Sequence, residues 1–236
     1  MSNHFSQFSV IVNAFLLAAF LSPGALLSAQ TTPPLYFFAD GQFTSPPDWW
    51  EVFTGAIEAH DKGVEGDSVG TDQAINALEE LHQKHGDSAL IMAYLGSAFT
   101  LRARDAPLWR KQHWVNRGFT LLDAAVEREV ENPLVRLVRA INSYHMPRFL
   151  DREDVAAEDF KYLLEWLENQ RGEIEIPEAF RKAVYFHAGA YFLRQRESRS
   201  VNLLRRAQSI SAAPHLDAPI RQSLQQAERR FPHVPN

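Results

Sequence analysis

Helix start and stop signals recur along most of this chain, and they constrain its fold more than any other feature. After Asp151, four large apolar residues starting at Phe160 fall at i, i+3, i+4 and i+7, the spacing of one helix face. Asn132 and Pro133 form a typical N-cap and first-turn pair. Such signals repeat over residues 48–230 with few strand signals, and they predict an all-α chain.

The same signals give approximate boundaries for the predicted helices. The first helix starts at Ser45 or Asp48 and ends in the Gly-rich segment 62–70, which we expect to be a long loop. The fourth helix is expected to continue to about Glu131. The other helices are expected to begin at Thr71 or Asp72, Asp87, Asp105 or Pro107, Asn132, Asp151, Pro177, Ser198 or Ser200, and Asp217.

Composition favours one folded unit that is stabilised by apolar packing. The chain has 236 residues, of which 45% are hydrophobic and 22% are charged, and this excludes a disordered chain. It contains no cysteine, so disulfides, thiol nucleophiles and thiolate metal sites are excluded.

The charge is unevenly distributed along the sequence. The formal net charge is −10 for residues 1–170 and +5 for residues 171–236. A nucleic-acid-binding protein normally carries basic surface over its whole fold, so this split argues against one. The basic part is expected to form solvated helix faces, with an acidic partner as the alternative.

The N-terminal segment has the features of a secretory signal peptide. No Asp, Glu, Lys or Arg precedes Asp40, and residues 8–21 are almost entirely apolar. A run of about fourteen apolar residues is too short to span a bilayer core of roughly 30 Å, but it fits the apolar region of a signal peptide. Residues 1–29 are therefore predicted to be cleaved after Ala29, leaving a periplasmic or secreted protein without a membrane span. A retained N-terminal anchor is the alternative.

Residues 30–47 are predicted to form an extended arm. This segment contains four aromatic residues and four prolines. We expect the arm to lie over a hydrophobic groove of its own fold, and a strand that binds a partner is the alternative.

A pattern recurs in alternate helices: a bulky residue, an apolar or small residue three positions later, then Gly or Ala, then an aromatic residue near the next turn. The small residue allows a second helix to approach closely. The matching sets are Tyr185, Ala188, Gly189 and Phe192; Met92, Leu95, Gly96 and Phe99; and, more loosely, Arg136, Arg139, Ala140 and Ser143 or Tyr144.

The intervening helices carry a small residue, a large apolar residue four positions later and an apolar residue three positions after that. The sets are Ala74, Leu78 and Leu81; Gly118, Leu122 and Ala125; Ala156, Phe160 and Leu163; and Ser200, Leu204 and Ala207.

Together the two patterns resemble the tetratricopeptide repeat (TPR) over about residues 47–214. The resemblance implies a right-handed stack of antiparallel helix hairpins, a TPR-like α-solenoid of about four hairpins. The segment 62–70 and the length of the fourth helix depart from the repeat pattern. We assign residues 48–231 to this helical domain and residues 232–236 to a disordered tail, and a non-repeating helical bundle is the rival fold.

The sequence predicts no enzymatic activity, no cofactor and no metal site. It lacks a Gly-rich phosphate loop, a dinucleotide fingerprint, a serine-hydrolase elbow and a His-Glu-x-x-His pair. His82 and His85 lie three positions apart but have no evident third metal ligand. The acidic cluster from Asp151 to Asp159 lies at a helix start, where capping of exposed N–H groups explains it.

Five residues are candidates for binding. The resemblance implies that the first helix of each hairpin lines a concave face, and it directs attention to Tyr144, His145 and Arg194. Cationic and hydrogen-bonding groups beside aromatic rings suit a peptide or an anionic ligand. Arg102 and Arg104 are candidates for an anion or peptide-terminus site, and helix capping with a local ion pair is the alternative.

These features predict an exported helical-repeat scaffold that binds a peptide or protein partner and no nucleic acid. The alternative is a small-molecule binding protein that is associated with an envelope transport system. An open polar channel favours the first function, and a closed aromatic cavity favours the second.

Overall fold

The computed structural model describes residues 37–170 and 174–235, and within these ranges the protein forms nine α-helices and two short strands. Neighbouring helices pack against one another, so the predicted helical class is confirmed. The predicted signal peptide, residues 1–29, lies outside the described residues, as do residues 30–36 of the predicted arm.

The strands are β1, Phe37–Ala39, and β2, Gln42–Thr44. The helices are α1, Trp50–Val64; α2, Ser68–Lys84; α3, Ala89–Asp105; α4, Leu108–Arg128; α5, Pro133–His145; α6, Glu153–Asn169; α7, Glu178–Arg194; α8, Arg199–Gln208; and α9, Asp217–Arg230. Single 3-10 turns occupy Arg148–Leu150 and Pro214–Leu216. No described helix is both long enough and apolar enough to cross a membrane.

Side-chain caps set several helix starts close to their predicted positions. The side-chain oxygen of Asn132 accepts a hydrogen bond from the backbone N–H of Leu134 at 2.9 Å, and Pro133 occupies the first turn of α5. Ser88 caps α3 by accepting from the N–H of Ile91 at 3.4 Å. These contacts join residues that are near in sequence, which is why the sequence indicated both starts.

The Gly-rich segment 62–70 is not the long loop that was predicted. Only three residues separate α1 from α2, and Asp67 caps the start of α2. Gly63 and Gly70 lie inside the two helices, where a Cβ at Gly70 would stand 2.9 Å from the carbonyl oxygen of Ala59 on α1. These glycines permit close helix packing and do not end the helices.

Helices joined by short turns pack as pairs: α1 with α2, α3 with α4, α5 with α6, and α7 with α8. Each odd-numbered helix also contacts the next odd-numbered helix, from α1 through to α9. Each even-numbered helix contacts the odd-numbered helix that follows it. The odd-numbered helices therefore form one continuous row, with the even-numbered helices packed along it.

The close approach predicted at Gly96 and Gly189 is confirmed. A Cβ at Gly96 would lie 2.8 Å from the carbonyl oxygen of Gly118 on α4. A Cβ at Gly189 would lie 2.8 Å from Cγ of Leu204 on α8. A larger residue at either position would push the paired helices apart.

Residues 37–44 form an antiparallel hairpin that the sequence analysis did not predict. Phe38 on β1 pairs with Phe43 on β2. The turn residues Asp40 and Gly41 both have positive φ, 50° and 79°. Asp-Gly is a favoured dipeptide for a two-residue hairpin turn because both residues tolerate the left-handed region.

This hairpin packs over the helical core through its aromatic side chains. Phe38 is buried, and its ring lies 6.0 Å from that of Trp166 at the end of α6. Phe43 lies 5.4 Å from Phe180 at the start of α7, and Phe37 lies 5.7 Å from Trp49 beside α1. The hairpin therefore covers apolar surface shared by three helices.

The described residues contain two apolar core clusters. The larger includes Phe99 and Phe160, which are 1% and 0% exposed. The smaller lies among α7, α8 and α9. Residues 232–235, which the sequence analysis assigned to a disordered tail, lie beside this second cluster, where Arg205 donates to the carbonyl oxygen of Pro235 at 2.6 Å.

Candidate functional site

A shallow depression lies where the end of α5, the turn after it, the start of α6 and the end of α7 meet. It is open to solvent and encloses little space of its own. Five of the side chains around it are Tyr144, Arg148, Glu153, Tyr191 and Arg194. We call this site the turn-end depression.

The turn after α5 gives the depression its shape. The helix stops before Pro147, whose ring and missing N–H prevent continuation. The 3-10 turn Arg148–Leu150 follows, and Asp151 then adopts a left-handed conformation with φ 54°. This tight path brings the Arg148 guanidinium within 3.7 Å of the Glu153 carboxylate on the same rim.

Arg194 is a fixed cation on the wall formed by α7. Its Nη1 donates to the carbonyl oxygen of Tyr144 at 2.5 Å, and its guanidinium carbon lies 5.3 Å from the centre of the Tyr144 ring. Within residues 37–170 and 174–235 it forms no ion pair with a carboxylate. Its charge is therefore available to a ligand.

Two tyrosines supply aromatic surface and hydroxyl donors. The rings of Tyr144 and Tyr191 are 6.1 Å apart and nearly perpendicular. Burial raises the pKa of Tyr144 above its usual value, although the nearby Arg194 acts in the opposite direction. Burial also raises the pKa of Tyr191. Both hydroxyls therefore stay protonated at neutral pH and can donate a hydrogen bond.

Glu153 is already satisfied by the protein itself. The side-chain amide of Gln195 donates to one of its carboxylate oxygens, and Arg148 lies near the same oxygen. The side chain of Arg148 is 67% exposed, so most of its N–H groups face solvent. Apart from Arg152, which pairs with Asp123, the charged wall residues are the two cations Arg148 and Arg194 and the carboxylate of Glu153.

A buried charge network supports the depression from below. The fully buried Asp159 accepts from Arg136 at 2.8 Å and from Arg139 at 2.7 Å. Arg152, which also lines the depression, donates to Asp123 at 2.7 Å. The network joins α4, α5 and α6, so it holds the turn in place. The interpretation of Asp159 as a capping carboxylate was wrong, because this side chain lies inside the helix pair.

Two histidines lie next to the depression. The ring of His145 is 4.6 Å from that of Tyr144. On α7, burial lowers the pKa of His187 to about 3, and the charge of His145 contributes in the same direction. His187 is therefore a neutral interior side chain at physiological pH.

Arg102 and Arg104 lie outside the turn-end depression. Arg102 pairs with Asp72 of α2 at 3.2 Å. Arg104 makes two hydrogen bonds to Asp105, each 2.9 Å, and donates to the carbonyl oxygen of Gly63 at 2.8 Å. These contacts are the capping and ion-pair arrangement of the alternative interpretation. The other three candidate residues lie together at α5 and α7.

A buried serine–histidine pair lies in the row of odd-numbered helices. Ser97 Oγ is 2.9 Å from His60 Nε2, and Asp61 is 3.5 Å from His60 Nδ1. These are the residue types of a nucleophilic triad. However, Ser97 is only 8% exposed in the middle of α3, where backbone N–H groups form helical hydrogen bonds and cannot stabilise an oxyanion. The pair therefore satisfies polar groups in the core.

Several residues of the depression were not predicted from the sequence. Tyr191 lies three positions before Arg194 on the same helix face, so that spacing could have indicated it. Gln195 follows directly. Arg148 and Glu153 lie around the turn after α5, and no local pattern shows that this turn reaches α7.

A scan against models of protein families, a search of curated proteins and a search of solved structures found no match to this sequence. Its function is therefore inferred from its own residues.

Proposed function

We propose that this protein is an exported, non-enzymatic scaffold of TPR-like helix hairpins that binds a peptide or protein segment at the turn-end depression. The convergence of cationic and aromatic side chains from α5, the turn after it and α7 on one open surface carries this proposal. Aromatic residues and arginine are the side chains that most often dominate the binding energy of protein interfaces.

The open shape of the depression favours a peptide segment over an enclosed small molecule. Pockets for drug-sized ligands bury most of the ligand. The turn-end depression is a shallow surface that opens to solvent. A peptide can contact such a surface with one side chain or one terminus while the rest of the peptide continues over the protein. A small-molecule carrier requires a closed cavity.

The order of helix contacts supports a stack of hairpins. A row of odd-numbered helices with an even-numbered helix packed beside each pair is the neighbour-to-neighbour arrangement of helical repeats. The close contacts at Gly96 and Gly189 support this arrangement in two of the pairs.

Export is supported by the sequence of residues 1–29, with their apolar run and small-residue end. The intact mass of protein purified from the cell envelope tests it. A mass that lacks about the first 29 residues supports export with cleavage, whereas the full-length mass supports a retained anchor.

Affinity selection from a random peptide library tests the binding proposal. The wild-type protein is expected to enrich a defined set of peptides, and Tyr144→Ala and Arg194→Ala are expected to lose that set while keeping the wild-type circular dichroism spectrum. Arg221→Ala is the matched control, because Arg221 is an exposed cation on α9 outside the depression. Undiminished enrichment by both depression variants would contradict binding at this site.

A further inference from the structure

We infer that the turn-end depression recognises a carboxylate of its peptide ligand, supplied by the free C-terminus of the peptide or by an Asp or Glu side group. This inference rests on the proposed function, because it names the chemical group that the same site recognises. Four features of the site support it.

Arg194 has hydrogen-bond donors that the described residues do not use. A guanidinium has five N–H donors, and one nitrogen of Arg194 donates to the carbonyl oxygen of Tyr144 at 2.5 Å. That bond and the contact with the Tyr144 ring at 5.3 Å hold the group against the wall. The remaining donors are preorganised for a planar acceptor with two oxygens, which is the geometry of a carboxylate.

Arg148 provides a second guanidinium, from the turn after α5. Its nearest carboxylate is that of Glu153 at 3.7 Å, which is longer than a hydrogen bond. Glu153 accepts from Gln195 instead. Arg148 is therefore only weakly engaged, and a ligand carboxylate can compete for it.

The neighbouring acids do not neutralise the two arginines. Asp154 and Glu197 lie close enough to act on Tyr191. However, Glu197 pairs with Arg199 at 2.8 Å, and Asp154 is not among the lining residues. Arg152 pairs with Asp123. The two guanidiniums of Arg148 and Arg194 therefore face the single carboxylate of Glu153, and the net charge is positive.

The tyrosines complete the site. Both hydroxyls are protonated at neutral pH, since the ordinary pKa of tyrosine is about 10 and burial raises the pKa of Tyr144 and that of Tyr191 further. A protonated hydroxyl can donate to a carboxylate oxygen, and a hydrogen bond to this charged acceptor is stronger than one to the neutral carbonyl oxygen of an amide. The ring of Tyr144 also offers a face to the adjoining apolar part of a peptide.

Biolayer interferometry with three biotinylated hexapeptide pools tests the inference. One pool has a free C-terminus and lacks Asp and Glu, the second is amidated and contains one Glu, and the third is amidated and lacks both acids. We expect the first or the second pool to bind about tenfold more tightly than the third, since a charge-assisted hydrogen bond is worth at least that factor. Whichever pool has the advantage identifies the source of the carboxylate.

Two variants and a control assign that advantage to the depression. Arg194→Gln and Arg148→Gln are both expected to reduce the preference about tenfold. Arg221→Gln is expected to leave it unchanged. Because Arg194 also bonds to Tyr144, the exposed Arg148 provides the variant with the smaller effect on folding.

The outcomes distinguish the inference from the proposed function. Equal binding by all three pools contradicts recognition of a carboxylate but leaves peptide binding intact. A preference that persists in both arginine variants places the carboxylate elsewhere and also contradicts the inference. The absence of binding by every pool overturns the proposed function and the inference with it.

Discussion

The α3–α4 pair and the α5–α6 pair are held together by different chemistry. In the first pair, the backbone at Gly96 meets that at Gly118, so closely that a Cβ would stand 2.8 Å from a carbonyl oxygen. In the second pair, Arg136 and Arg139 donate to the fully buried Asp159 at 2.8 and 2.7 Å. The small-residue pattern fits α3 closely and α5 loosely for this reason.

Arginine can therefore occupy the contact face of a helix where the partner helix supplies a buried carboxylate. Such a network is polar throughout, and it continues through Arg152 to the wall of the turn-end depression. These ion pairs therefore hold α5 to α6 and also position the turn that lines the depression.

Removal of the Asp159 carboxylate should destabilise the α5–α6 helix pair. Asp159→Asn leaves two buried arginines without their acceptor, and we expect a loss of about 3–5 kcal/mol in the free energy of unfolding, measured by urea denaturation. Glu158→Gln is the control, because the Glu158 side chain is 67% exposed and lies 3.4 Å from Arg136. The control should lose less than about 1 kcal/mol. Equal losses in both variants would show that the buried network does not hold the pair.

Replacement of glycine by alanine should have opposite effects on stability at Gly96 and at Gly55, and this tests the close contact in the α3–α4 pair. Gly96→Ala places a methyl group against the Gly118 carbonyl oxygen, and we expect it to cost about 1–3 kcal/mol in the free energy of unfolding. Gly55→Ala lies in the exposed part of α1 with nothing within 4 Å of the added Cβ. It should stabilise the protein by about 0.5–1 kcal/mol, because alanine favours helix. Stabilisation by both changes would remove the close-contact account.

Acid titration extends the comparison to the α7–α8 pair, which contains a buried neutral histidine. The pKa of His187 is about 3 in the folded protein, below the usual 6.5, so the unfolded state binds the proton first as the pH falls. Its contribution to stability is complete above about pH 6.5 and is lost progressively toward pH 3. Between pH 7 and pH 5, His187→Gln should lose about 2 kcal/mol less than the wild type in the free energy of unfolding. Parallel pH profiles would contradict this assignment.

Features set by neighbouring residues were predictable from the sequence. The start of α5 depends on Asn132 and Pro133, which are adjacent. The hairpin turn at Asp40 and Gly41 was equally local, and it was missed because the proline-rich context favoured an extended arm. In both cases the neighbouring residues alone carry the information that predicts the structure.

Features that depend on a distant partner were not predictable. Gly63 and Gly70 suit a turn or a close helix contact equally well, and only the packing of α1 on α2 decides between them. Similarly, Asp159 belongs to an acidic cluster, and its burial depends on two arginines of the preceding helix, Arg136 and Arg139. A charge pattern alone does not show which carboxylate turns inward.

The candidate site was predictable only in part. The repeat pattern directed attention to Tyr144 and Arg194, which lie fifty positions apart in sequence and meet at the depression. Arg148 and Glu153 were missed because the path of the turn after α5 brings them there. The spacing of residues along a helix predicts which of them share a face, but no such spacing predicts the path of a turn.

Chemical-shift mapping of the isotope-labelled protein, saturated with a peptide enriched by affinity selection, tests the central claim most directly. If the turn-end depression binds the peptide, the largest shift changes will fall on Tyr144, Arg148, Tyr191 and Arg194, and Arg221 on α9 will be unaffected. Shift changes confined to the β1–β2 hairpin or to α9, with those four residues unchanged, would contradict the account.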